Sequence, residues 1–172
     1  NSKINSEDSE LRTMTDPDTE TKRTASIDKA IEEESCDAYL RTDSSEDSDM
    51  YYITGFEAPD PFSLLRTQDE TVVLVSPLEY SRAEKESRAD EVRSTSEYIT
   101  GDIRGTEDAE IEVAAAFLEE YGVESVCVPR DFFLYTAESL RERGLEVTAV
   151  DDGIEKTRAV KTDEEIRKIK AA

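Results

Sequence analysis

Residues 106–150 read TEDAEIEVAAAFLEEYGVESVCVPRDFFLYTAESLRERGLEVTAV, and they carry the clearest structural signal in the chain. Thr106 predicts a helix N-cap, with Glu107, Asp108 and Glu110 at the positive end of the helix dipole. Ile111, Ala114, Ala115, Leu118 and Tyr121 recur at helical spacing as one apolar stripe, and Gly122 supplies a left-handed stop. The next run, SVCVP, is almost continuously apolar, the pattern of a strand covered on both faces. Thr136 to Arg143 predicts a short helix closed by Gly144, and LEVTAV predicts another strand. Strand, helix and strand at this spacing make a crossover unit, which favours parallel pairing and a right-handed connection.

Toward the N-terminus, Ala25, Ile27, Ala30 and Ile31 predict a modestly amphipathic helix over Thr19 to Glu34, and DAYL a short strand. RTDSSEDSDM reads as a solvated loop. Its acidic spacing lacks the turn glycine and terminal glutamate that an EF-hand calcium loop needs. SLLRT and TVVLVS, separated by TQDE, predict a hairpin. Leu78 to Arg88 predicts a helix whose less polar face is Leu78, Tyr80 and Ala83, and Glu91 to Ser94 a weak strand. At the end of the chain, Thr162 and Glu165 form a capping box for a helix with Ile166 and Ile169 on one face. The pattern is that of a three-layer α/β/α domain around a mixed, largely parallel sheet. Residues 1–18 are expected to be a disordered extension, residues 19–157 the folded domain, and residues 158–172 the start of a further helix.

The chain has 172 residues, enough for one domain that buries about 70% of its unfolded surface. Acidic residues number 43 against 21 basic ones, a formal net charge of −22. The acid is spread through segments patterned to fold, such as EDAEIEVAAAFLEEYG, where an acidic tail would have concentrated it. Two origins fit: a surface that mimics nucleic acid or docks a basic partner, and adaptation to a salt-rich cytoplasm of the haloarchaeal kind. Nucleic-acid binding is disfavoured for want of basic patches. No apolar run approaches the roughly 18 residues of a membrane span, so a soluble, cytoplasmic protein is expected.

The chemistry available to the chain is narrow. It contains no histidine, which removes Ser-His triads, Cys-His dyads and His-based metal sites. Its two cysteines, Cys36 and Cys127, form no framework, and Cys127 inside SVCVP is expected to be a small buried thiol. Asp151 and Asp152 read as solvated turn residues, Ser76, Ser81 and Thr54 have no identifiable base, and no glycine-rich phosphate loop exists. No catalytic, cofactor-binding or metal-binding residue is assigned. YYITGF, residues 51–56, is the more specific signal: Gly55 permits a turn with Tyr52 and Phe56 on either side. The two aromatics either pack beneath the following hairpin or form an exposed rim for an apolar, proline-like group.

Taken with the C-terminal segment, YYITGF makes the chain resemble the N-terminal, creatinase-like domain of the prolidase and Xaa-Pro aminopeptidase family. Tyr51, Tyr52, Thr54, Gly55 and Phe56 match that family's aromatic-Thr-Gly-Phe segment, and Ser76 to Tyr80 its acidic-aromatic turn after a core strand. Arg158, Lys161, Thr162, Glu165 and Ile166 match its exit into a linker helix, so the resemblance spans Thr19 to Ala172. It implies a non-catalytic domain that supports dimerisation and substrate access beside a C-terminal pita-bread domain absent from this sequence. There, two divalent metal ions (manganese, cobalt or zinc) would drive hydrolysis of proline-containing dipeptides or peptides. It also implies a homodimer, and places Tyr52, Phe56, Asp60 and Phe62 near the substrate entrance. Creatinase shares the domain and differs in reaction. The rival expectation is a stand-alone acidic α/β interaction or dimerisation module.

The salt-adapted reading makes a direct prediction. At about 1 M salt the Debye length falls to about 3 Å and carboxylate repulsion is screened, so the thermal unfolding midpoint should rise steeply with potassium salt. A sharp transition unchanged between low and molar salt would refute it.

Overall fold

The computed structural model describes residues 17–101, 108–161 and 163–171. Along the chain run α1 (Pro17–Glu34), β1 (Ala38–Asp43), α2 (Ser48–Thr54), β2 (Phe62–Thr67), β3 (Thr71–Val75), α3 (Tyr80–Glu86) and β4 (Glu91–Ser94). A 3-10 turn over Thr95–Glu97 comes next, then α4 (Ala109–Glu120), β5 (Ser125–Pro129), α5 (Leu134–Glu142), β6 (Glu146–Val150), α6 (Ile154–Ala159) and α7 (Asp163–Ala171). The six strands form one sheet in the order β4-β3-β2-β1-β5-β6. β3 with β4, β1 with β5, and β5 with β6 are parallel, whereas the β1–β2 and β2–β3 pairs are antiparallel. The expected three-layer domain, hairpin and crossover unit are all present.

The apolar strands are explained by what covers them. Tyr39 of β1, Val73 and Val75 of β3 and Cys127 of β5 pack on one face, with Ile27 and Ile31 of α1, Met50 and Ile53 of α2, and Ile154 of α6. Ala38, Leu40, Val72, Leu74, Val126 and Val128 point the other way, against α4 and α5. Successive residues of a strand face opposite sides, so a strand covered on both must be apolar throughout. Cys36 and Cys127 are both free and buried. Burial, together with a hydrogen bond to the neighbouring Cys36, pushes the Cys127 thiol far above its ordinary pKa.

Five expectations need correction. The segment RTDSSEDSDM is not a solvated loop: β1 runs through it to Asp43, α2 begins at Ser48, and Arg41, Ser44 and Met50 are buried. The helix expected from Leu78 starts only at Tyr80, which leaves Leu78 90% exposed, although Ala83 is fully covered. On α4 the buried face is Ile111, Val113, Phe117 and Leu118, with Ala114, Ala115 and Tyr121 half-buried at its margin. The helix is rotated so that the larger Val113 and Phe117 side chains meet the sheet, since they bury more apolar area than alanines. α5 begins two residues before the expected Thr136. Residues 17 and 18, expected in a disordered extension over residues 1–18, already belong to α1; the rest of that extension, the Thr106 cap and the Thr162 cap lie outside the described residues.

YYITGF proves to be the end of a helix. Asp47 caps the start of α2 by accepting from the backbone N–H groups of Asp49 and Met50, and Gly55 closes it in the left-handed region at φ 61°. The left-handed backbone favours glycine, and a Cβ at Gly55 would lie 2.7 Å from the Arg88 guanidinium, so a larger residue must also push that side chain aside. Gly55→Ala is expected to lower stability by about 1–3 kcal/mol in chemical denaturation; a change within experimental error would show that Arg88 and the turn relax freely.

Candidate functional site

β1, β5 and β6 run in the same direction, so their carboxyl ends and the loops after them gather at one edge of the sheet. In open α/β sheets this edge is where ligands bind. Here Arg41, near the end of β1, fills it with a side chain only 6% exposed. Its Nη2 donates to Asp47 Oδ2 at 3.0 Å, and its Nη1 to Asp152 Oδ2 at 3.3 Å. Asp131 Oδ2 lies 3.6 Å and Asp49 Oδ2 3.9 Å from Nη2. Tyr39 Oη donates to the same Asp152 oxygen at 2.5 Å.

Each main partner also holds a helix. Asp47 Oδ1 accepts the first N–H groups of α2, and Asp152 Oδ1 accepts the N–H of Ile154 at the start of α6. Arg41 therefore joins two helix-capping carboxylates through their outer oxygens. Asp152, expected as a solvated turn residue, is instead 12% exposed and fully engaged. Burial raises the pKa of the Asp49 carboxyl even though Arg41 and Arg158 draw it down. Arg158 Nε stands 3.3 Å from Asp49 Oδ1, close enough for charge attraction, yet that oxygen has no aligned hydrogen bond. The Tyr39 phenol is driven far above its usual range by burial and by the adjacent Asp152 charge. With both terminal nitrogens of Arg41 engaged by carboxylates and only its buried Nε without a partner among the described residues, no free donor pair is left for a substrate, so the arrangement braces the edge.

At the opposite edge of the sheet a groove of about 790 Å³ lies between the ends of α4 and α5, lined by Asp37, Glu112, Glu119, Glu124, Arg143 and Glu146. Asp37 there accepts from the backbone N–H groups of Ser125 and Glu124, which lowers its pKa. Arg143 is ion-paired with Glu112. Among the described residues, no group of three or more Cys, Asp and Glu side chains is arranged to hold a metal ion.

The residues expected near a substrate entrance do not form an exposed rim. Tyr52, Phe56 and Phe62 are 7%, 0% and 4% exposed. Phe56 and Phe62 meet edge to face at 5.5 Å, with Arg82 over the Phe56 ring. They form the packing layer beneath the hairpin, and only Asp60, between the exposed Pro59 and Pro61, stays on the surface. Sequence reading missed Arg41 because Asp131 and Asp152 are distant in the chain, while Asp47 and Asp49 stand in a segment that locally looks solvated. The available signal was a pair of aspartates, Asp47 and Asp152, each standing where a helix could begin.

The sequence profile of the Creatinase/Prolidase N-terminal domain matches residues 23–160. The chain belongs to this family. Solved structures agree in fold. The prolidase from Pyrococcus horikoshii OT3 superposes with a TM-score of 0.61 at 22% identity, over 84% of this chain and 37% of that one. An Xaa-Pro dipeptidase from Bacillus anthracis gives 0.66 at 19% identity, over 89% and 39%. The N-terminal domain of the cytoplasmic peptidase PepQ from Mycobacterium tuberculosis H37Rv gives 0.57 at 17% identity, over 79% and 98%. The chain thus spans about two fifths of the first two relatives and nearly all of the isolated PepQ domain. No curated protein sequence gives a significant match.

In this creatinase-type domain Arg41→Met leaves Asp47 and Asp152 charged without their partner. Breaking a buried pair in this way is expected to cost about 3–5 kcal/mol, read by urea titration, with Asp152→Asn in the same background recovering part of the loss. A loss under about 1 kcal/mol, the value of a surface pair, would show that water already carries these charges.

Proposed function

We propose that the chain is the non-catalytic N-terminal domain of an Xaa-Pro dipeptidase or aminopeptidase, joined through α7 to a C-terminal pita-bread domain of the same protein. The match to the Creatinase/Prolidase N-terminal profile over residues 23–160 carries this reading. The bond-cleaving groups lie in that partner domain, where two divalent ions (manganese, cobalt or zinc) activate water and polarise the scissile carbonyl. This domain contributes shape. Val160, just before α7, and Ile169, within it, are well exposed and offer apolar surface to the adjoining domain. Phe133, Leu134 and Tyr135, at 66%, 72% and 67% exposure, provide a contiguous apolar patch suited to the subunit contact of a homodimer. With Tyr52, Phe56 and Phe62 inside, the part left for substrate access is the Pro59–Asp60–Pro61 turn, which those rings hold rigid from beneath. A proline-containing dipeptide or peptide in the cytoplasm is the substrate of the whole protein.

Incubated with manganese and Gly-Pro or Ala-Pro, this chain should release no proline, whereas the protein including the pita-bread domain should. Asp60→Ala in that longer protein should raise KM with the unfolding midpoint unchanged. Metal-dependent turnover by the 172-residue chain alone would overturn the assignment.

A further inference from the structure

Four carboxylates surround Arg41: Asp47, Asp49, Asp131 and Asp152. With Arg158 included, two guanidinium groups face four acids, so one proton taken up by the cluster lowers its internal repulsion. The four acids are not equivalent. Asp47 accepts from the backbone N–H groups of Asp49 and Met50 and from Arg41, and Asp152 accepts from Tyr39, Arg41 and the Ile154 N–H. Hydrogen bonds of this kind favour the ionised form. Asp131 is well exposed and solvated.

Asp49 has neither advantage. Its side chain is 17% exposed, and its Oδ1 is buried without a hydrogen-bond partner among the described residues. Two charges hold it: Arg158 Nε of α6 at 3.3 Å from Oδ1, and Arg41 Nη2 of β1 at 3.9 Å from Oδ2. Asp47 at the start of its own helix and Asp152 in the loop before α6 repel it. α1, which also packs on α2, brings Arg23, directed at the Tyr52 ring. Burial outweighs the two guanidinium groups and raises the pKa of the Asp49 carboxyl.

What Asp49 holds is the way out of the domain. α6 is six residues long, and its start is secured by the Asp152 cap and by Ile154, fully buried in the layer with α1. Toward its end Ala159 and Val160 face solvent, and Lys156 pairs with the exposed Asp151. Arg158 ties this last turn to α2 through Asp49, and Lys161 donates to the Arg158 carbonyl at 2.7 Å on the way into α7. We propose that Asp49 is a proton-operated latch on this exit: ionised, it holds Arg158 and the end of α6 against α2, and protonated, it releases them. Under the function proposed above, α7 leads to the catalytic domain, and the latch then sets how firmly that domain is held; the latch itself is a property of this chain alone.

The folded chain binds the Asp49 proton more tightly than the unfolded chain, so ionisation costs stability as pH rises from the unfolded to the folded pKa. Asp49→Asn at neutral pH should therefore leave the thermal midpoint unchanged or higher. In the same variant the Thr157 and Val160 amides, bonded to the Gly153 and Thr157 carbonyls, should exchange about fivefold faster than in the unaltered chain. Arg158→Gln should give the same acceleration, and the double variant no more than either. In the unaltered chain, rates corrected for intrinsic exchange should rise as pH falls through the Asp49 carboxyl titration, followed by carbon-13 NMR. The Arg158 Nε–Hε resonance should shift with the same midpoint. Should Asp49→Asn fail to fold, Arg158→Gln and the titration of the unaltered chain decide the matter. A lowered midpoint in Asp49→Asn, unchanged exchange in Arg158→Gln, an additive double variant, or an Arg158 resonance indifferent to the Asp49 titration would overturn the proposal.

Discussion

The edge of the sheet where β1, β5 and β6 end is organised by one buried cation. Arg41 stands between the aspartates that start α2 and α6, and each carboxylate uses one oxygen for its helix and the other for the arginine. Lysine could not replace it, because one point charge cannot present two donor edges to two partners. The phenol of Tyr39, two residues earlier on the same strand face, supplies a further donor to Asp152. In many open α/β folds this edge receives a ligand. Here it is closed by the protein's own side chains.

What could be read from the sequence was what local pattern encodes. SVCVP and TVVLVS are apolar without alternation because each strand is covered on both sides, and they sit in the sheet as β5 and β3. Glycines mark turns with positive φ at Gly55, Gly122 and Gly144, where turns and helix stops were expected. What escaped was long-range. Arg41 sits in a run of acidic and hydroxyl residues that locally looks wet, yet its partner Asp152 is more than a hundred positions away. Composition ranks such a segment as a loop, whereas the fold makes it a buried ion-pair network.

The candidate entrance shows the same limit from the other side. Tyr52 and Phe56 stand out because the motif around them is specific, and Phe62 because the family resemblance places it beside them, but neither signal says whether the residues serve binding or packing. The glycine is explained by its left-handed backbone and the guanidinium of Arg88 pressed against it. Thr54, fully buried, donates to the Met50 carbonyl and accepts from the Phe56 N–H, so it too closes the turn. Every element of Thr-Gly-Phe thus has a structural reason, and Asp60 is the one member of the proposed set that faces outward.

The placement of the two thiols gives the protein an internal reporter. Cys127 is wholly enclosed on β5, one strand in from the sheet's border, and Cys36 adjoins it at the end of α1. An alkylating reagent reaches Cys127 only when α1 lifts away from the sheet, and the elevated thiol pKa slows reaction with any unopened molecule still further. The rate at which iodoacetamide consumes that residue therefore measures how often the layers part, with no label added to the chain.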